Sequence, residues 1–91
     1  MSLEWDPEKN AANIEGRGID FECVARLDWN TALTREDTRD DYGEPRFLTM
    51  GMIDGALHVV VHTPRDENTR IISVRKANSR ERKLYGKATK S

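Results

Sequence analysis

The stretch Phe47–His62, FLTMGMIDGALHVVVH, decides the fold because it predicts a β-hairpin. Asp54-Gly55 lies between two apolar runs and fits a two-residue type I′ turn, in which both turn residues have positive φ. Such a turn pairs Ile53 with Ala56 and thereby fixes the register of the residues that follow outward. A sheet built on this hairpin is therefore the centre of the predicted fold.

The predicted register divides the hairpin side chains between two faces. One face is apolar and pairs Leu48, Met50 and Met52 with Val61, Val59 and Leu57. The other face pairs Phe47, Thr49 and Gly51 with His62, Val60 and His58. Because burial of apolar surface favours folding, we expect helices on the first face and an open second face.

Helix signals precede the hairpin. Asp6 suits an N-cap and Pro7 the first helical position, and this helix should end at Gly16 or Gly18. Asp20 suits the N-cap of a second helix. The amino-terminal part of the chain is therefore predicted to be a helical hairpin.

Further elements are predicted on both sides of the hairpin. A short strand is expected at Thr31–Thr34, and a longer one at Thr69–Arg75. Asn78 and Glu81 form a capping-box pattern that opens a last helix through Tyr85. The predicted fold class is α+β, with an antiparallel sheet of three to four strands, two N-terminal helices packed on one face and a short C-terminal helix.

The length of 91 residues predicts one domain, residues 1–91. The single cysteine, Cys23, has no partner for an internal disulfide, and no apolar run of about 20 residues is present. We therefore expect a cytoplasmic protein without membrane association.

Charge is distributed unevenly along a chain of formal net charge -1. Residues 64–91 carry nine Lys or Arg against three Asp or Glu, whereas residues 1–63 carry six against thirteen. This asymmetry favours a basic patch that binds a polyanion. Pairing of an acidic loop with the basic tail inside the molecule is the alternative.

The predicted open face would collect His58, His62 and Arg75, a combination suited to phosphodiester chemistry. Histidine transfers protons near neutral pH, and arginine holds a phosphate at two points. RNA supplies its own nucleophile, the 2′-hydroxyl, so no metal or cofactor is expected. There are two alternatives. The histidines can be partly exposed polar residues without a catalytic role, and the arginines can be ordinary surface charge.

No metal-binding spacing is recognisable in the sequence. Two histidines and one cysteine lack the paired spacing of a zinc site. Asp37, Asp40 and Asp41 do not match a calcium loop, so we expect them to be solvated.

Several segments resemble segments of the BrnT toxins and occur in the same order along the chain. They are Glu4–Lys9 (EWDPEK), Gly18–Glu22 (GIDFE), Glu44–Phe47 (EPRF), and Arg70–Ala77 (RIISVRKA) followed by Glu81-Arg82 and Tyr85. The resemblance implies a type II toxin-antitoxin system whose toxin is a ribonuclease of RelE-like fold. It further implies metal-free cleavage by 2′-hydroxyl attack and a BrnA-type antitoxin that neutralises the toxin and binds DNA.

The resemblance also implies roles for individual residues. The candidate catalytic residues are Glu22, Arg70, Arg75 and Lys76, to which the face argument adds His62. The candidate RNA-binding residues are Arg46, Arg80, Arg82 and Tyr85, although Tyr85 is equally suited to covering the core.

One position departs from the family pattern. Members carry Lys-His before the glycine that precedes the second helix, whereas this chain has Gly16-Arg17-Gly18. A guanidinium stays protonated and does not replace a histidine in proton transfer. Two alternatives to a ribonuclease therefore stay open: an inactive partner-binding protein and a non-catalytic RNA-binding module.

Overall fold

A five-stranded mixed sheet organises the part of the chain that the computed structural model describes, residues 2–89. The elements in chain order are β1 (Ser2–Trp5), α1 (Pro7–Arg17), a 3-10 helix (Phe21–Arg26), β2 (Leu33–Glu36), β3 (Phe47–Ile53), β4 (Ala56–Arg65), β5 (Asn68–Lys76) and α2 (Ser79–Thr89). The strand order is β1-β5-β4-β3-β2. The predicted α+β class is confirmed. None of the helices in residues 2–89 has the length and apolarity needed to span a membrane.

The prediction of a three- to four-stranded antiparallel sheet is wrong at one edge. β1 adds a fifth strand and runs parallel to β5, with Glu4 beside Arg70 and Trp5 beside Ile71. Four residues without clear alternation carry little strand signal of their own. β1 is specified by pairing with a strand more than sixty residues away, which local pattern does not reveal.

The hairpin has the predicted register. Ile53 pairs with Ala56, and the pairing continues outward to Phe47 with His62. Asp54 has φ 51° and Gly55 has φ 81°, as a type I′ turn requires.

The predicted caps before the hairpin are also confirmed. Asp6 accepts a hydrogen bond from the Glu8 amide at 2.9 Å, and α1 ends at Gly18 in the left-handed conformation. Asp20 caps the next element by accepting from the Glu22 amide at 3.0 Å. That element is a 3-10 helix of six residues, a tighter and shorter helix than the sequence predicted.

The expected assignment of faces is wrong, because the amino-terminal helical segments pack on the face that carries Gly51 and Val60. Phe21, Val24 and Leu27 are buried there against Val60 and Val74. Gly51 makes this possible, since a β-carbon at this position would lie 3.1 Å from the Leu27 side chain. The polar residues of this face tolerate burial because they are hydrogen-bonded, His62 to Thr49 and His58 to the Ala56 carbonyl.

A β-bulge in β5 changes a second expected assignment. Val61 pairs with Ser73 but His62 pairs with Ile71, which leaves Ile72 as the extra residue. Strict alternation along β5 would place Ile71 and Val74 on opposite faces, but the bulge lets both be buried in the same cluster.

The opposite face of the sheet carries α2. Leu48, Leu57, Val59 and Ala77 form its buried cluster, against which Tyr85 packs. The predicted capping box is present. The Asn78 amide donates to Glu81 Oε1 at 2.9 Å and the Glu81 amide donates to Asn78 Oδ1 at 2.8 Å.

Replacing Gly51 with alanine should destabilise the protein by about 1–3 kcal/mol, because the new methyl group overpacks against Leu27 and Ala32. Gly86→Ala is the matched control. A β-carbon at Gly86 meets nothing within 4 Å, and alanine favours a helix by up to about 1 kcal/mol. Urea unfolding of both variants measures the difference, and equal stability of the two would contradict the close approach.

Candidate functional site

Two adjoining cavities lie at the turn end of the hairpin, one on each face of the sheet. The first has a volume of about 370 Å³ and is bordered by the 3-10 helix. The second has a volume of about 460 Å³ and is bordered by α2. Ala56 and the exposed Lys76 line both. We refer to the two together as the hairpin-end site.

The first cavity combines groups that accept and donate protons. Glu22, Arg26, Asp54, His58 and Lys76 are among its lining residues, together with Asp20 and Cys23. The buried His58 has its Nδ1 2.9 Å from the carbonyl oxygen of Ala56, so Nδ1 carries the proton of this hydrogen bond. In the neutral imidazole, Nε2 is then the acceptor.

Arg26 is not free within the first cavity. Its Nε and Nη2 donate to the Asp54 carboxylate at 2.9–3.1 Å, and these hydrogen bonds lower the pKa of Asp54. The pair ties the 3-10 helix to the hairpin turn. Because Arg26 and Asp54 neutralise each other, Lys76 is the cation that remains to face an incoming anion.

The second cavity is cationic. Lys76 and Arg82 line it beside the Tyr85 ring, Met52 and Leu57, and no carboxylate is among its lining residues. Arg82 Nη1 donates to the Ala77 carbonyl at 2.8 Å, and the Tyr85 hydroxyl donates to the Thr31 carbonyl at 2.8 Å. These bonds fix both side chains at the rim. Tyr85 also packs on the core, so it covers the core and borders the cavity at once.

Arg75 lies outside this site and is paired with Glu81. Its two terminal nitrogens donate to the two Glu81 oxygens, each at 2.7 Å. The hydrogen bonds from Arg75 lower the pKa of Glu81 to about 2. Glu81 therefore caps α2 and joins α2 to β5.

Arg70 is also held by a carboxylate, and Arg46 lies near one. Arg70 Nη1 donates to Glu4 Oε2 at 2.9 Å, which links β5 to β1. Arg46 has its guanidinium carbon 4.0 Å from the centre of the Tyr42 ring and its Nε 3.5 Å from Glu44. Arg80, by contrast, is exposed on α2.

His62 lies on the opposite sheet face from Arg75, so the expected grouping of these two residues is wrong. Arg75 pairs with Val59, whereas His62 pairs with Phe47 and Ile71. The His62 Nε2 is 2.7 Å from Thr49 Oγ1. Burial lowers the pKa of His62, which favours the neutral ring.

Arg17 and Asp37 occupy other parts of the molecule. Arg17 Nη1 donates to Asn13 Oδ1 at 2.8 Å, and the two line a cavity with Lys9 and Ser73. Asp37 was expected to be solvated, but it is buried and bonded by Arg39, which lowers its pKa to about 2. Among residues 2–89 no cluster of three or more His, Cys, Asp or Glu side chains is arranged to hold a metal ion.

Of the nine predicted site residues, the hairpin-end site contains Glu22, Lys76, Arg82 and Tyr85. Sequence reasoning placed both His58 and His62 on the candidate face but named only His62 as a catalytic candidate. The alternation of β4 placed both histidines on one face but did not indicate that the cavity lies at the turn end. Their distance from Asp54-Gly55 was the available signal.

Comparison with protein families gives one match. A family model described as the ribonuclease toxin, BrnT, of type II toxin-antitoxin systems matches residues 5–81. The chain belongs to this family. The members are ribonuclease toxins of type II toxin-antitoxin systems, which implies an RNA target and a protein antitoxin. No curated protein matches the chain.

Removing the Glu81 side chain should destabilise the fold by about 1–2 kcal/mol, since Glu81→Ala deletes one half of the capping box and leaves Arg75 without its partner. Glu81→Gln retains a side-chain acceptor for the cap and should lose less. Lys83→Ala, on the same helix, is the control for a neutral change. Urea unfolding measures the stability of all three variants. A Glu81→Ala variant as stable as wild type would show that the pair of Arg75 and Glu81 does not contribute to stability.

Acid should destabilise the protein in two separate pH ranges. Because the pKa of His62 is lowered from 6.5, the unfolded chain takes up this proton first, and stability falls as the pH drops below about 6.5. The low pKa values of Asp37 and Glu81, about 2, have their effect below their ordinary values of 3.8 and 4.5.

A series of urea titrations from about pH 8 to pH 3 separates the two ranges. His62→Gln should flatten the upper range only, and Glu81→Gln should flatten part of the lower range only. The same slope in wild type and His62→Gln between about pH 7 and pH 5 would contradict the assignment to His62.

Proposed function

We propose that this family member cleaves RNA at the hairpin-end site. The observation that carries the proposal is that Lys76 lines both cavities. A cation able to hold a phosphate therefore lies beside His58 and Glu22 on one side and beside Arg82 and Tyr85 on the other. RNA crossing this end of the sheet would place a phosphate at Lys76.

The proposed reaction is attack of a 2′-hydroxyl on the adjacent phosphorus. His58 Nε2 accepts the hydroxyl proton as the O2′–P bond forms. The Lys76 ammonium hydrogen-bonds the non-bridging oxygens, where negative charge increases in the transition state. The P–O5′ bond breaks, and the departing oxygen takes its proton from Lys76. The products are a 2′,3′-cyclic phosphate and a 5′-hydroxyl, and solvent restores both protonation states.

The other predicted site residues receive different roles in this proposal. Arg82 and the exposed Arg80 attract the RNA backbone, and the Tyr85 ring offers a stacking surface at the rim. Arg70 and Arg75, held by Glu4 and Glu81, join β1 and α2 to β5. Arg46 stays a candidate for RNA contact beside Tyr42. We assign His62, hydrogen-bonded inside the core, a structural role.

The proposal extends to the fold, the partner and the location that the family resemblance implies. We propose a RelE-like fold in one domain, supported by the antiparallel order β5-β4-β3-β2 with helical segments on both faces. The proposed partner is a BrnA-type antitoxin, through which the toxin is linked to DNA, and the proposed location is the cytoplasm.

One observation favours a second candidate, a non-catalytic RNA-binding protein. The first cavity includes Asp20, Glu22 and Asp54, and this excess of carboxylates repels phosphate. Arg17, at the position where the family pattern has histidine, supplies no proton-transfer group. Such a protein would bind RNA with a steep salt dependence and release no cleaved product.

Incubation of the purified chain with end-labelled RNA tests the proposal. Fragments ending in 2′,3′-cyclic phosphate should appear and should persist when a chelator is titrated in. Lys76→Ala should reduce the rate by about 100-fold or more, as loss of a proton-transfer group does. Lys87→Ala, which removes an exposed lysine from α2, should leave it unchanged.

Two results would contradict the cleavage proposal. One is intact RNA from protein whose circular dichroism and unfolding transition show that it is folded. The other is cleavage at the same rate by wild type and Lys76→Ala. Binding with a steep salt slope but without cleavage would favour the second candidate.

A further inference from the structure

A third cavity, of about 510 Å³, adjoins the hairpin-end site on the far side of Glu22. Its lining residues are Leu3, Trp5, Glu22, Val24, Ala25 and Trp29. These include both tryptophans of the chain. Glu22 also lines the first cavity of the hairpin-end site, so one residue borders both an aromatic cavity and a polar one.

The two indole rings are held in fixed orientations. Trp5 makes an edge-on contact with Phe21, with centroids 6.3 Å apart and planes at 86°. Trp29 makes an equivalent contact with His62, with centroids 5.8 Å apart. Both tryptophans stay partly exposed, although they pack against the core. Rings held in this way bind a flat ligand with little loss of side-chain freedom.

The Glu22 carboxylate is available to a ligand. Its backbone amide is bonded to Asp20, which fixes the start of the 3-10 helix, while its side chain is exposed. The nearby Arg26 is paired with Asp54. Within residues 2–89 no donor is hydrogen-bonded to the Glu22 carboxylate, and an ionised carboxylate only accepts hydrogen bonds.

We propose that this cavity binds a guanine base of the RNA substrate. Stacking on an indole is favourable for every base, so the aromatic surface binds a base without distinguishing among the four. The carboxylate supplies the selection, since guanine is the base that presents two adjacent donors, N1–H and the N2 amino group, to a pair of carboxylate oxygens. Adenine and cytosine place a ring-nitrogen acceptor beside their amino group, and uracil flanks its single N3–H with carbonyl oxygens.

This inference rests on the proposed function, because it names a base next to the phosphate held at Lys76. The sharing of Glu22 between the aromatic cavity and the first cavity gives the two ligand groups adjoining positions. Base selection by Glu22 also provides a use for a carboxylate that would otherwise only repel RNA.

Intrinsic fluorescence provides a direct test, because every tryptophan of the chain lines the cavity. The ligands are four 2′-O-methyl trinucleotides, U-N-U with N as G, A, C or U, which lack the attacking hydroxyl and stay intact. The guanine ligand should quench the fluorescence with an affinity about tenfold or more above the other three, the usual discrimination of a bidentate pair. Free N-acetyltryptophanamide corrects for absorption by the ligands.

Glu22→Gln should remove the guanine preference, since an amide presents one donor and one acceptor in place of two acceptors. Glu15→Gln, an exposed position on α1, is the control and should retain it. Trp5→Phe and Trp29→Phe, measured separately, identify the ring that stacks on the base.

The outcomes separate this inference from the cleavage proposal. A guanine preference lost in Glu22→Gln supports the base site even if RNA is never cut. Equal quenching by all four ligands, or a preference unchanged in Glu22→Gln, overturns the base site while cleavage at Lys76 can still stand. If no ligand quenches the fluorescence and a protein partner shields both rings in a complex, the base site is overturned and the cavity is assigned to that partner.

Discussion

The two-residue turn at Asp54-Gly55 is the constraint on which the arrangement depends. Its positive φ angles set the register of β3 and β4, and this register places Gly51 where Leu27 can approach. The Asp54 side chain then binds Arg26 and holds the 3-10 helix over the same end of the sheet. One aspartate thus determines both how the strands pair and where the helix that carries Glu22 lies.

The local signals in the sequence were sufficient for the caps and the hairpin. Asp6, Asp20 and the Asn78-Glu81 box act through backbone atoms two or three residues away, so the sequence alone predicts them. The choice of sheet face was wrong because alternation counts Thr49 and His62 as polar. It does not reveal that their side chains satisfy each other.

Non-local features were beyond such reasoning. The parallel pairing of β1 with β5 and the bulge at Ile72 depend on contacts between distant segments, and the bulge alone moved Ile71 into the core. For the site, family resemblance supplied Glu22 and Lys76, whereas the choice between His58 and His62 needed the structure. The basic tail was similarly misleading, because Arg70 and Arg75 are paired with Glu4 and Glu81.

The double engagement of Glu81 has a mechanical consequence for α2. The first turn of this helix is clamped to the sheet through Arg75 and capped through Asn78, whereas the far half is tied down by the Tyr85 hydroxyl bond to Thr31. The helix is therefore held more firmly at the Glu81 end than at the Tyr85 end. A ligand entering beside Arg82 would have to move the Tyr85 end, which is held by this hydrogen bond and by packing of the Tyr85 ring on the core.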